Sequence, residues 1–249
     1  MKKLIAVAAL ITTACAWAES TVEGANTFGI LRVDSSAAET IIAVPWLGAS
    51  TSETSIKVTD VVKTANLEEG DELYYYNGSA YTCWKLNSSK EWEAAKIVGM
   101  GEAGDDTTSL VRGNAIILKR PKDTRASSIY LYGQVASTST ATITMASGTT
   151  TSKAFTLIAP PTDTSISISS GTWSNVQSGD MIVIDGHAPF KYKGENVWGH
   201  KTINDKWETV WTDTNVLIPV GQGAWYISAE RATAGEATTW ALTDLPSTK

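Results

Sequence analysis

Cysteine and histidine are almost missing from this chain: 249 residues contain two of each. Cys15 lies in an apolar N-terminal stretch, which leaves Cys83 alone in the body of the protein. One cysteine forms no intramolecular disulfide, so folding must rest on burial and hydrogen bonding. Between "YT" and "WK", Cys83 reads as a small apolar core residue; an intermolecular disulfide is the alternative. His187 and His200 stand beside turn residues, and neither belongs to a His-x-x-x-His or thiolate pattern that would hold zinc. A Gly-x-Ser-x-Gly nucleophile elbow is also missing. A glycosidase carboxylate pair assembles in space rather than in sequence, but the short loops leave little room for a deep cleft. No enzymatic activity and no cofactor or metal are therefore expected. Excess positive charge is lacking too. Twenty basic residues face 26 acidic ones, a formal net charge of −6. That balance disfavours nucleic acid and anionic lipid, which need basic patches, and no nucleic-acid partner is expected. Beyond the N-terminus no apolar run approaches the roughly 18 residues that span a bilayer, so an integral membrane protein is not expected.

What is present begins with a leader. Lys2 and Lys3 precede an apolar run from Leu4 to Ala14 and a small-x-small site, Ala16-Trp17-Ala18. This is the grammar of a secretory signal over residues 1–18. It implies export to the cell surface or medium, with the periplasm as the alternative. Thr12-Thr13-Ala14-Cys15 loosely imitates a lipid-attachment site but lacks the usual leucine.

After the leader, Val, Ile, Thr, Tyr and Trp fill the apolar segments, and turn signals recur about every ten residues. The chain also echoes itself. "LEEGDELYYYNG" (67–78) matches "VQSGDMIVIDG" (176–186), and "RGNAIIL" (112–118) matches "VGQGAWY" (220–226). "IAVPW" matches "LIAPP", and "KEWEA" around Trp92 matches "DKWET" around Trp207. The matches keep their order at offsets of 108 to 115 residues. We expect an all-β fold of two tandem antiparallel sandwich or small-barrel units related by internal duplication. The units span 41–135 and 155–245. A strand lies within 19–40, and a Ser/Thr-rich connecting segment or edge strand occupies 136–154.

Each recurring motif has a physical job. Gly70-Asp71 and Gly179-Asp180 suit a turn in which Gly takes positive φ and Asp accepts local backbone amides. Asn77-Gly78 and Asp185-Gly186 predict two-residue type I′ hairpin turns. Gly113-Asn114-Ala115 and Gly221-Gln222-Gly223 enter β-like segments, which excludes a phosphate loop and predicts close backbone approach. Side chains alternate along a strand, so Tyr74 and Tyr76 share one face while Leu73 and Tyr75 share the other. Because the second unit carries aliphatics there, Tyr75 reads as core, and Tyr74 and Tyr76 are left unexplained by the fold. A second aromatic group, Trp198, Trp211, Tyr192 and Phe190, has no echo in the first unit. Tyr74, Tyr76, Trp198, Trp211 and Tyr192 are the candidate ligand-binding residues.

"ANTFGILRVDSSAAETIIAVPW", "GDELYYYNG", "YLYGQV" and "IPVGQGAWYI" together resemble a family of uncharacterised secreted bacterial β-repeat proteins with many paralogues. The likeness covers nearly the whole chain after the leader. It implies an exported all-β protein and supplies no catalytic or ligand residues. Gly113-Asn114-Ala115 departs from the Gly-x-Gly that the family commonly shows. The expectation is a non-enzymatic structural or adhesive surface protein whose partner is itself or another surface or matrix component. The alternative is a carbohydrate-binding module, with polysaccharide as ligand, using exposed Trp and Tyr.

Overall fold

The computed structural model describes residues 28–35, 38–45, 55–99, 101–120, 127–134, 140–203, 209–214, 216–232 and 235–245. These residues are almost entirely β. Strands β1 (Phe28–Ser35), β2 (Glu39–Ala43), β3 (Ile56–Lys57), β4 (Val62–Lys63), β5 (Glu72–Tyr76) and β6 (Tyr81–Leu86) open the first set. It continues with β7 (Trp92–Ala94), β8 (Glu102–Ala103), β9 (Ser109–Leu110), β10 (Ala115–Lys119) and β11 (Ser127–Gln134). The second set opens with β12 (Ala141–Met145), β13 (Ala154–Ile158), β14 (Ile166–Ser167), β15 (Thr172–Ser174), β16 (Met181–Ile184) and β17 (Phe190–Gly194). It ends with β18 (Val197–Ile203), β19 (Thr209–Thr214), β20 (Leu217–Ile218), β21 (Ala224–Ser228) and β22 (Thr238–Leu242). Two short helical turns, Val58–Val61 and the 3-10 turn Thr64–Asn66, flank β4 in the first set. No helix among the described residues is long and apolar enough to cross a membrane.

In the first set the order β1-β11-β4 makes one sheet and β2-β10-β5-β6-β7 another, with β8 added beside β6 and a small β3-β9 pair. In the second set the orders are β12-β22-β15, β13-β21-β16-β17-β18-β19 and β14-β20. The pairing order of the first set thus recurs in the second. Each set is a sandwich, and none of its sheets closes into a barrel. Leu31, Leu131 and Val62 from the smaller sheet meet Leu73, Trp84, Ile116 and Leu118 from the larger one. In the second set Ile143, Trp173 and Trp240 meet Ile182, Phe190, Trp198 and Tyr226.

The unit boundaries shift from those expected. β1 pairs with β11 along its length, and β12 pairs with β22. The strand within 19–40 therefore belongs to the first sandwich. Within 136–154, expected as a connecting segment or edge strand, Ala141–Met145 forms an edge strand of the second sandwich. "FGILRVDS" and "ATITM" share only alternation, which is why sequence matching began one strand late in both units. Residues 1–18 lie outside the described residues, as does Trp207.

Two turn expectations meet different outcomes. The Gly-Asp turns form as reasoned: Glu68 N–H donates to Asp71 Oδ2 at 2.8 Å and Gln177 N–H to Asp180 Oδ2 at 2.9 Å, with Gly70 and Gly179 at positive φ. The Asn77-Gly78 hairpin is longer than two residues, because Tyr76 pairs with Tyr81. Asn77 Oδ1 accepts the amides of Ser79 and Ala80 at 3.0 and 2.9 Å. That side-chain turn stabilises a four-residue loop and needs positive φ only at Gly78. The Asp185-Gly186 loop is longer still, since β16 and β17 pair only through Met181 and Ile182.

Candidate functional site

The two sandwiches meet along a seam. β2 and β13 are outer strands of their larger sheets, and such an edge exposes unpaired backbone groups. Each edge is closed by the loop that leads into the other set's central strand. Ala43 N–H donates to Gly221 O at 3.0 Å, and Gly223 N–H donates to Ile41 O at 3.0 Å. Reciprocally, Ala159 N–H donates to Gly113 O at 2.9 Å. The Arg112 Nε–H donates across the seam to Pro161 O. The two small-residue motifs therefore permit close approach, as their composition suggested. A Cβ on Gly223 would stand 2.7 Å from Ala115 Cβ and 2.9 Å from Ile158 O. The bare glycine opposite is what accommodates alanine in the first unit's version of the motif.

A third core fills the seam. Ala43, Tyr74, Cys83, Ala115 and Ile117 come from the first set, and Leu157 and Ala159 from the second. This explains the unbroken apolar run "AIIL" of β10: Ile116 and Leu118 face the first core, while Ala115 and Ile117 face the seam. In "AWYIS", Ala224 and Tyr226 face the second core, which turns Trp225 and Ile227 outward.

Where this face runs out of the seam it forms an open groove of about 430 Å³, lined by Tyr76, Tyr81, Phe155, Val183, Trp225 and Ile227. The aromatic rings pack edge to face or tilted rather than coplanar. Tyr76 lies 5.0 Å from Tyr81 and 5.6 Å from Trp225, and Phe155 lies 6.4 Å from Trp225. They make a concave apolar wall, not a flat platform. Beside it, Ile97 and Gly101 bond to each other in a tight turn laid against Tyr81. Val98, on that turn, is 94% exposed.

Corresponding strands supply an internal control. In the first set the row Ile41–Ile117–Tyr74 lies beside Glu39–Lys119–Glu72. The same places in the second set hold Leu157–Trp225–Val183 beside Phe155–Ile227–Met181. The architecture tolerates charge at the outer row, since the first set has it. The apolar row of the second set is thus surplus to folding, and Phe155 is 37% exposed.

The candidate residues separate accordingly. Tyr76 lines the groove. Tyr74 lies beneath it, 1% exposed, with its hydroxyl donating to the Glu72 carboxylate, so it is seam core rather than a presented ring. The second group does not form the exposed stacking surface expected of it. Trp198 is fully buried, edge-on to Trp173 at 5.1 Å and to Tyr192 at 5.2 Å. Tyr192 is half-buried and packs on that core, as Phe190 does from within it. Large rings at inward positions fill a core that no disulfide reinforces. Trp211 in β19 pairs with Lys201 of β18, and the Trp211 side chain lies outside the described residues. Tyr75 packs against the first core, as expected. Tyr81, Phe155, Val183, Trp225 and Ile227 were missed, although the alternation of "AWYIS" carries the signal once Tyr226 is placed inside.

Among the described residues no group of three or more His, Cys, Asp or Glu could hold a metal ion. Asp105, in the acidic loop, is engaged by the Thr107 amide at 2.5 Å. Cys83 is fully buried in the seam, which keeps it from intermolecular pairing in the folded chain. Burial, then the nearby Glu72 and Glu102, push its thiol from 9.0 up to about 11. The unfolded thiol ionises first as pH rises. Stability is therefore full below about pH 9 and declines toward pH 11. The urea midpoint should fall across that window, and Cys83→Ala should flatten the part of the decline that starts near pH 9. A wild-type midpoint unchanged from pH 8 to 11 contradicts the burial of Cys83.

Fold and seam define an all-β protein built from two sandwiches that share an aromatic third core. No family model, curated protein or solved structure matches the chain.

Proposed function

We propose that this is a non-enzymatic structural or adhesive protein, exported by its leader to the cell surface or medium. It acts by associating with a second copy of itself through the seam groove. One observation carries this: Phe155, Ile227 and Met181 stand exposed or half-exposed where the corresponding places of the first sandwich hold Glu39, Lys119 and Glu72. Apolar surface that the fold does not require marks a contact. The second copy is favoured as partner because the exposed Val98 turn lies beside the groove, so knob and hollow share one face. A two-fold arrangement then seats each knob in the other's hollow, a closed and self-complementary contact. The edge-to-face rings suit side chains entering a concavity better than a sugar ring lying flat. The recurring pairing order supports an origin by duplication, and kinship with secreted β-repeat proteins belongs to the same proposal.

Sedimentation velocity on the mature protein tests it. A concentration-dependent dimer is expected. Phe155→Asp, which copies the charge found at the matching place in the first sandwich, and Val98→Asp should each weaken it at least tenfold. A wild type that stays monomeric into the millimolar range contradicts the proposal.

A further inference from the structure

The outer face of the first sandwich's smaller sheet differs from its counterpart at every matched position. Inward residues set the register: Leu31, Leu131 and Val62 in the first sandwich take the places of Ile143, Trp240 and Trp173 in the second. The outward neighbours follow. Ile30 and Arg32 on β1 match Thr142 and Thr144 on β12. Tyr130 and Tyr132 on β11 match Thr239 and Ala241 on β22, and Lys63 on β4 matches Ser174 on β15. Five small residues satisfy the fold on one side; five large ones occupy the other. Folding does not account for the difference.

The large residues are also arranged. Arg32, Tyr130 and Lys63 form one row across the three strands. At the usual strand spacing the two cations start about 10 Å apart, with a phenol ring between them. Lys63 Nζ lies over the Tyr132 ring, 4.7 Å from its centre. Arg32 Nε donates to Asp34 Oδ1 at 2.9 Å, and the Ser128 hydroxyl donates to the same oxygen at 2.7 Å. The face thus already holds one carboxylate by an arginine and a hydroxyl. Ile30 is 44% exposed at its end.

We propose that this face is a second binding surface, independent of the seam, for a carboxylated polysaccharide. Tyrosine rings take the apolar C–H faces of pyranose rings. Lys63 takes a carboxylate directly, and Arg32 takes one in exchange for Asp34. The chain as a whole is acidic, with a formal net charge of −6, so these local cations are the complement that a polyanion would find. Attraction between exposed charges is screened by salt, and binding should weaken as salt rises.

The experiment is affinity electrophoresis and calorimetry of the mature protein with polygalacturonate, dextran sulfate and neutral dextran. Retention by polygalacturonate is expected, weakened by salt, with none by neutral dextran. Tyr130→Thr with Tyr132→Ala installs the residues the second sandwich already uses, and should lower affinity at least tenfold without lowering Tm. Lys63→Ser, at an exposed side chain, should lower it about threefold to tenfold and serves if the double variant is unstable. Equal retention by neutral dextran overturns the proposal. So does retention by dextran sulfate alone, affinity unchanged in the variants, or no retention by polygalacturonate at all.

Discussion

Arg231→Met lowers the unfolding free energy by about 3–5 kcal/mol, the usual cost of stranding one member of a buried ion pair. Arg231 Nη2 lies 2.9 Å from Asp180 Oδ2, and both side chains are essentially sealed from water, at 1% and 0% exposure. Asp180 also receives the Tyr226 hydroxyl at 2.5 Å and the Ala229 and Gln177 amides at 2.9 Å each. Those donors are neutral. Removing the guanidinium leaves them in place but leaves the carboxylate's charge uncompensated in an apolar core. Tyr226→Phe removes one hydrogen bond to a charged group, so a smaller loss of about 1.5–3 kcal/mol is expected. Adding Asp180→Asn to Arg231→Met removes the stranded charge and keeps a side-chain oxygen for the amides, so it should restore part of the loss. Urea denaturation followed by tryptophan fluorescence separates these cases. A loss under 1 kcal/mol for Arg231→Met contradicts the placement of the pair.

The second large effect is at the seam. Gly221 has φ +73°, and a Cβ there would stand 2.3 Å from Val33 Cγ2 and 3.2 Å from Leu31 Cδ2 in the other sandwich. Gly221→Val therefore combines left-handed backbone strain of about 1–2 kcal/mol with overpacking of about 1–3 kcal/mol. Because the clash is with the first sandwich, relief comes by opening the seam. The expected result is a total loss of about 2–5 kcal/mol. The wild type should unfold in one thermal transition and Gly221→Val in two, since the hydrogen bond from Ala43 to Gly221 goes with the seam. Gly78→Ala is the control: φ is +98°, but nothing lies within 4 Å of the added carbon, so strain acts without a clash. Equal losses at the two positions contradict the seam.

These two sites show what sequence can and cannot carry. Asp180 was legible as a turn residue, because the echo at Asp71 shows the same bond to the amide three residues earlier. Its second role was not, because Arg231 lies 51 positions away, outside the repeated motif. Gly221 and Gly223 were legible as points of close approach, but not what approached them. Period-2 alternation identifies two faces of a strand without saying whether the second face meets water or another sheet. Tyr74 and Tyr76 were singled out on that ground, and they divide: one is sealed in the third core and the other lines its open end. For Trp198 the matches across units were silent, and large residues without an echo proved to fill an individual core. Phe155 and Ile227 carry no signal of their own because each is ordinary in its own strand. Their meaning comes from Glu39 and Lys119, which hold the matching places in the other sandwich.

Hydrogen–deuterium exchange on the protein at low and high concentration tests the central claim most directly. If association runs through the seam groove, protection rises with concentration at residues 76–81, 97–99, 153–156 and 225–228, and elsewhere stays the same. A rise confined to other segments, such as the outer strand β19, or no rise at concentrations where a dimer is present, contradicts it.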